Sequence, residues 1–318
     1  AYVNNHFAGH GPASARDNAS TGDDTTRYYS TFAKEDLETV LGLYADMFQH
    51  LSYSEADFKT EARAILGEYN KNSAEPTQKL EEVQRDRFYQ AHTYKHTVMG
   101  FIRDIENMPN EYAYSKLFFE RWYRPQYTTV IVAGDVTPAE VLPMIEKHWG
   151  GWKTSAAQPA PIPAEPPHTG PTYAHVPWTS DTLPWVSVAF QGPAFDENGK
   201  DSAAMRMIAS LFFERTSDLY KKLVVTEQKV DQLDVEVPRR SDPALFTVQA
   251  RLKNGADAPY VRDQILSAMA RARASLVPGD RLADAKSFDR YSFVRGIDST
   301  ERVAAVVSQY AAYRRSYQ

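Results

Sequence analysis

Several residue types and motifs are missing from this sequence, and each absence excludes a class of chemistry. Cysteine is absent, which excludes disulfides, thiolate metal sites and a cysteine nucleophile together. The formal net charge of −5 gives no basic excess, which disfavours nucleic acid as the main partner. No apolar run approaches the length of a membrane span, so no transmembrane segment is predicted. Nucleotide-binding glycine loops and a G-x-S-x-G nucleophile turn are also missing, which leaves nucleotide and α/β-hydrolase chemistry without support.

The residues that are present describe an ordinary globular chain. With 318 residues, 42% hydrophobic and 24% charged, it is long enough for two domains with normal cores. The first residues, AYVNNHFAGH, contain no basic stretch followed by an apolar one, so no signal peptide is predicted there. Because the chain begins with alanine rather than methionine, we expect a processed chain or a part of a longer one.

The first half alternates strand-like and helix-like patterns. A segment rich in Thr and Tyr with a Gly-Asp-Asp break predicts two strands joined by a turn, and the following segments change to helical periodicity. Ser54 is a candidate cap of one helix, and Thr137-Pro-Ala-Glu140 is the start expected of another. The predicted elements are strands within 17–33, helices at 35–51, after 54, at 76–91, 110–123 and 137–148, a loop at 92–100, and a buried strand at 127–133.

A proline-rich segment divides the chain. Residues 154–177 include Pro159, Pro161 and Pro163, which predicts an extended, semi-rigid linker. After it we expect strands at 185–190, 230–237 and 244–253, a long helix at 201–223, and helices at 258–276, 280–293 and from about 299. The predicted domains are 1–153 and 178–318, joined by the linker 154–177. Helices lie between grouped strands, which favours an α+β fold with two similar domains, each a mainly antiparallel sheet with helices packed on one face.

Two glutamates mark the candidate site. In FKTEARAILGEY, Glu61 and Glu68 are seven residues apart, close to two helical turns, so both carboxylates point the same way beside an apolar stripe. A half-buried carboxylate there needs a metal, an arginine or backbone N–H groups as its partner. The alternative interpretation is a solvated helix edge, since such glutamate pairs are common.

The histidines give one pair with metal-ligand spacing. His6 and His10, in HFAGH, are four residues apart and on a helix could face one metal ion. Gly9 lies between them and Gly11-Pro12 follows, which disfavours a helix, so two incidental histidines near a terminus are the alternative. Asn18-Ala19-Ser20 formally matches a glycosylation acceptor, which in a predicted strand we interpret as chance.

The order of these residues resembles a known family. Asn18-Ala19-Ser20-Thr21 with Asp24, Thr26, Tyr28 and Tyr29 is similar to the NA-x-T-x-x-D-x-T-x-YY segment of the inverzincin metallopeptidases, which include pitrilysin, the insulinases and the mitochondrial processing peptidases. The likeness continues through nearly the whole chain. Further matching positions are Leu37-Glu38, Ala45-Asp46-Met47, Glu61, Glu68-Tyr69, His92-x-Tyr94, Gly100, Tyr123-x-Pro125, Val132-x-Gly134-Asp135-Val136, Leu219-Tyr220-x-x-Leu223-Val224 and Asp242-Pro243-x-x-Phe246.

The resemblance implies roles for particular residues. It implies zinc as cofactor, with Glu68 as the carboxylate ligand and Glu61 as a companion that assists it. It also implies that Asn18 and Ala19 lie on an edge strand that pairs with an extended peptide substrate. The family uses an Arg and a Tyr of its second domain to hold substrate, and Arg251 and Tyr260 lie in a suitable region. A homo- or heterodimer with another family member is the implied partner.

One departure from the family leaves two functional hypotheses open. The catalytic signature H-x-x-E-H is not found, and the nearest match, His6-x-x-Gly9-His10, has glycine where the general base belongs. The first hypothesis is a zinc-dependent metalloendopeptidase for degrading or processing peptides or presequences, with the catalytic helix outside this chain. The second is a catalytically silent family member that binds peptides or pairs with an active peptidase. The resemblance favours a bacterial periplasm as the compartment, with the cytoplasm and the mitochondrial matrix as alternatives.

Overall fold

A computed structural model describes residues 16–155 and 159–314 of the chain. It contains antiparallel sheets and helices, so the α+β prediction is confirmed. The strands are β1 (Arg16–Thr21), β2 (Thr26–Thr31), β3 (Trp185–Gln191), β4 (Val230–Glu236) and β5 (Leu245–Leu252). The main helices are α1 (Leu37–His50), α2 (Glu55–Asn72), α3 (Pro76–Phe88), α4 (Ile102–Asn107), α5 (Tyr112–Trp122), α6 (Pro138–Trp149), α7 (Asp201–Phe212), α8 (Ala258–Ala274), α9 (Gly279–Arg295) and α10 (Thr300–Arg314).

These elements form two compact units. Within the described residues, the first unit comprises 16–72, 89–155, 159–167 and 297–314, and the second comprises 73–88 and 168–296. Helix α3 therefore belongs to the second unit although it lies early in the chain. The domain boundaries 1–153, 154–177 and 178–318 stay a prediction.

The first unit is built on α1 and α6. Leu37 and Leu41 of α1 recur at helical spacing, and they pack against Val141 of α6. The start of α6 is fixed by a capping box, in which Thr137 Oγ1 accepts the Glu140 N–H and the Glu140 carboxylate accepts the Thr137 N–H. The predicted cap at the start of α6 is therefore confirmed.

The segment predicted as a buried strand, 127–133, does not form one. A 3₁₀ turn takes Pro125–Tyr127, and the chain then runs irregularly to α6. Val130 and Val132, two residues apart, still pack against the core of α1 and α6, which explains the strand-like apolar alternation. A strand also needs a neighbour for its backbone hydrogen bonds, and no described strand pairs with this segment. The strand prediction was therefore wrong.

The second unit contains a three-stranded antiparallel sheet in the order β3-β5-β4. The central strand β5 turns Phe246, Val248, Ala250 and Leu252 toward the helices, and each of these side chains is fully buried. Val261 and Ile265 of α8 and Phe213 after α7 complete this core. Helix α3 contacts the opposite face, where the Ser187 hydroxyl of β3 donates to Gln84 Oε1 at 3.2 Å.

The long helix predicted at 201–223 is interrupted. Helix α7 ends at Phe212, and the Ala209 carbonyl accepts both the Phe213 and Glu214 N–H groups. Ser217 then caps a new turn through its hydroxyl, which accepts the Tyr220 N–H at 3.1 Å, and a π-helix follows over Lys221–Thr226. A serine followed by an aspartate is a helix-start signal, and it explains the break.

Candidate functional site

The strands β1 and β2 form the hairpin that the Thr- and Tyr-rich pattern predicts. They pair antiparallel, with Asn18 opposite Tyr29 and Ala19 opposite Tyr28. The Gly22 N–H donates to the Thr25 carbonyl at 2.8 Å and closes the turn. This sheet has two strands within the described residues, so the outer edge of β1 has no strand beside it.

The hairpin register defines which backbone groups face that outer edge. Along an antiparallel pair, opposed residues alternate. In one pair the backbone N–H and C=O groups bond to the opposite strand, and in the next pair these groups point away from it. Gly22 and Thr25 are a bonded pair, so the backbones of Ser20 and Asn18 also bond to β2. The backbone groups of Ala19, which lies between them, therefore point away from β2. The Asn18 side-chain oxygen accepts the Ala19 N–H at 2.8 Å, in an exposed position. The free edge therefore presents Ala19 at its middle, flanked by Asp17 and Thr21.

Aromatic hydroxyls hold β2 against the first unit. The Tyr44 hydroxyl of α1 contacts the Ser30 hydroxyl at 2.7 Å, and burial raises the pKa of Tyr44. The Tyr28 and Tyr123 hydroxyls contact each other, and burial, reinforced by that contact, raises the pKa of Tyr123. The Tyr28 ring also packs edge-on against Phe48 at 5.2 Å. These contacts hold β2, and among the described residues no strand pairs with the outer edge of β1.

Helix α2 positions the two glutamates. Ser54 caps it as predicted, since its hydroxyl accepts the Asp57 N–H at 3.1 Å. Ala62 and Tyr69 are buried, so the apolar side of the helix faces the unit. Glu61 and Glu68 are both exposed, and neither has a hydrogen-bond or ion-pair partner in the described part of the chain. Of the two interpretations that the spacing leaves open, the exposure of both carboxylates matches the solvated helix edge, because the apolar stripe turns them outward into water.

The donor set for zinc is incomplete in the part of the chain that the structure describes. A catalytic zinc site takes three protein ligands and a water. No group of three His, Asp or Glu side chains that could hold a metal ion exists among residues 16–155 and 159–314. Glu61 and Glu68 are two turns apart, about 10 Å along the helix axis, so they do not form a compact pair. His6 and His10 lie outside the described residues. These residues alone do not fit a zinc site.

Arg251 and Tyr260 both lie in the second unit and both have partners there. Arg251 donates two hydrogen bonds to the Asp231 carboxylate, at 2.9 and 2.8 Å, and thereby holds the pKa of Asp231 below its usual range. The Tyr260 hydroxyl donates to Glu227 at 2.8 Å. These bonds give both residues an intramolecular role.

Sequence patterns missed the contacts that hold the hairpin. The period of α1 places Tyr44 on the apolar side of the helix, yet nothing local indicates that its hydroxyl meets Ser30. The segment 92–100 was predicted as a loop, but it contains a 3₁₀ turn at Thr93–Lys95 with Tyr94 buried. An aromatic residue in a predicted loop was the available signal for a packed turn.

Two protein-family models match the chain. The model described as "Peptidase M16 inactive domain" matches residues 114–287, more than half of the chain, and the one described as "Insulinase (Peptidase family M16)" matches residues 3–101. The chain belongs to peptidase family M16. This confirms the inverzincin resemblance, because M16 is the insulinase family.

Individual M16 relatives agree with this assignment. "Zinc protease PqqE" of Helicobacter pylori is 26% identical over 297 residues, which are 92% of this chain and 66% of that protein. The chain thus spans just under two thirds of that relative's length. A crystal structure of a protease from Helicobacter pylori superposes with a TM-score of 0.89 at 25% identity, covering 98% of this chain and 74% of that one.

A more distant structure shows the same fold. It is a putative M16-like peptidase from Alicyclobacillus acidocaldarius, with a TM-score of 0.77 at 18% identity over 99% of this chain and 74% of that one. The likeness to M16 proteins thus extends over nearly the whole chain. Within the described residues, no helix is both long and apolar enough to cross a membrane.

Proposed function

We propose that this chain binds extended peptides along the outer edge of β1, as the peptide-binding part of a zinc-dependent M16 endopeptidase. The observation that carries the proposal is the free edge of the β1–β2 hairpin, with the backbone of Ala19 facing outward. An extended peptide adds to such an edge through main-chain hydrogen bonds. Membership in M16 and the relative named zinc protease supply the peptidase context.

The side chains of β1 suit this role. Asn18, Ala19 and Ser20 are small, so they leave room for another backbone close to the strand. Their sequence neighbours are polar, which keeps an unpaired edge soluble in the absence of peptide. Binding through the backbone gives affinity without selecting a single sequence, and selection would then depend on pockets for alternate side chains.

Binding of an unstructured fluorescein-labelled peptide, followed by fluorescence anisotropy, tests the proposal. Two analogues of the peptide carry N-methyl groups, one on every residue and the other on alternate residues. Because an edge strand pairs with alternate N–H groups of the peptide, methylation of every residue should weaken binding about tenfold or more, and methylation of alternate residues, which leaves one edge of the peptide intact, should change it little. Equal affinity of both analogues and the parent peptide would refute binding at a strand edge.

For the metal, we propose Glu68 as a carboxylate ligand of zinc and Glu61 as a companion residue that assists at the same site. This rests on family membership and on the common face of α2 that carries both side chains. Bound zinc would act as a Lewis acid toward the peptide carbonyl. The described residues hold no group of three side chains that could bind a metal ion, so we derive no catalytic step from this chain.

A second candidate function is a catalytically silent M16 subunit that binds peptides or pairs with an active peptidase, as a homo- or heterodimer. The incomplete metal-ligand set among the described residues favours it. Mass spectrometry of the unlabelled peptide after incubation with the full-length gene product and zinc separates the two. Cleavage that a chelator stops supports the endopeptidase, whereas binding without cleavage supports the silent subunit.

A further inference from the structure

The His92-x-Tyr94 motif belongs to the family resemblance, but the proposed function gives it no role. Both side chains are buried, with only 4% of His92 and 5% of Tyr94 exposed. They lie in the turn that follows α3 in sequence and belongs to the first unit. Two buried polar side chains in a short turn are a costly arrangement unless their polar atoms are bonded.

Tyr94 connects this turn to the hairpin. Its hydroxyl donates to Asp24 Oδ1 at 2.6 Å, across 70 residues of sequence. Asp24 lies in the tight turn between β1 and β2, two residues after Gly22. The bond therefore fixes the turn end of the hairpin, where β1 ends and β2 begins.

The position of Tyr94 is itself fixed by its neighbours. His92 Nδ1 accepts the Tyr94 backbone N–H at 3.0 Å, and the rings of Tyr89 and Tyr94 pack edge-on at 6.0 Å. The Glu165 carboxylate accepts three successive backbone N–H groups, those of Gln90, Ala91 and His92, at 2.8, 3.1 and 3.0 Å. These contacts hold the turn that carries Tyr94.

We propose that Tyr94 is a positioning residue for peptide binding, acting through Asp24 to hold the outer edge of β1 in its extended form. The inference rests on the proposed function. A two-stranded hairpin is marginally stable in water, and a peptide that pairs with a disordered edge must also order it. A hairpin fixed at its turn is already ordered, so its affinity for peptide is higher.

The test is Tyr94→Phe, which removes the hydroxyl and keeps the ring. At a temperature where wild type and variant are both fully folded, the Kd for the fluorescein-labelled peptide should rise about fivefold to tenfold. Hydrogen exchange of the backbone amides of 16–31 should become faster. The matched control is Tyr112→Phe, which removes the bond from that hydroxyl to the Tyr53 carbonyl, at 3.0 Å, in the same unit. It should change neither the Kd nor the exchange of the hairpin.

A double-mutant cycle tests whether Tyr94 acts through Asp24. Asp24→Ala should raise the Kd as well, and adding Tyr94→Phe to it should raise the Kd little further, since the two residues act through one bond. If Tyr94→Phe binds as wild type does, or if Tyr112→Phe weakens binding equally, the positioning role is refuted and the proposed function stands. If the wild type binds no peptide, the proposed function is refuted, and the positioning role of Tyr94 is refuted with it.

Discussion

A proline scan of β1 follows directly from the hairpin register. Ala19 directs its N–H to the free edge, whereas the adjacent Ser20 directs its N–H to β2, opposite Arg27. Proline has no N–H and is tolerated in edge strands where the N–H faces solvent. Ala19→Pro should therefore keep the hairpin and remove a donor that a bound peptide needs. Ser20→Pro should remove a bond of the hairpin itself.

The expected magnitudes differ between the two variants. One net hydrogen bond is worth about 1 kcal/mol, so loss of the Ala19 donor alone should weaken peptide binding about fivefold. The proline ring also obstructs the approach of a second backbone, which raises the expected loss to tenfold or more. Stability should change by less than about 1 kcal/mol, because among the described residues the partner of this N–H is the exposed Asn18 side chain.

Anisotropy with the labelled peptide gives the Kd, and urea denaturation gives the free energy of unfolding. Ser20→Pro should destabilise the first unit more than Ala19→Pro does, since it removes a hydrogen bond between β1 and β2. Ala19→Pro with an unchanged Kd would refute binding at this edge. Equal destabilisation by the two variants would refute the assignment of outward and inward N–H groups.

Three further predictions concern the metal, the core and the acid range. In the full-length gene product, Glu68→Gln should weaken zinc binding in competition with a chelator, and Glu61→Gln should weaken it less. An unchanged zinc affinity in Glu68→Gln would exclude that side chain as a ligand. Phe246→Ala should lower the free energy of unfolding by about 3–5 kcal/mol, because the Phe246 side chain is fully buried. As a control, Phe288→Ala should change it by less than about 0.5 kcal/mol, because Phe288 is exposed. Similar losses in the two variants would contradict the described core. Arg251 lowers the pKa of Asp231, so this pair should stabilise the fold above the unfolded-state value of about 3.9 and lose that effect as the pH falls through the lower folded value. Asp231→Asn should therefore flatten the acid end of a stability-versus-pH curve, and identical curves would show that the pair contributes nothing.

Local patterns predicted the elements well where caps and turns are strong. The Gly-Asp-Asp turn, the Ser54 cap and the Thr137 capping box all lie where the sequence indicates, because each is a contact between residues close in sequence. Periodicity also found the buried side of α1. Long-range contacts carry no local signal, which is why the bond from Tyr94 to Asp24 could not be predicted.

The errors have the same origin. The segment 127–133 has the alternation of a strand, but pairing depends on a neighbour that periodicity does not reveal. The apolar stripe of α2 was found, yet the exposure of Glu61 and Glu68 depends on which elements cover that side of the helix. The interruption after Phe212 did have a local signal, the Ser217-Asp218 cap, and the apolar periodicity on both sides concealed it.

The most direct test of the account is hydrogen exchange at the single amide of Ala19, followed by NMR with and without the unlabelled peptide. Within residues 16–155 and 159–314, this N–H donates to the exposed Asn18 side chain and to no other group. The account predicts that saturating peptide slows its exchange about tenfold or more, as a new backbone acceptor takes the place of Asn18. Unchanged exchange at Ala19, with the peptide bound and other amides protected, would contradict it.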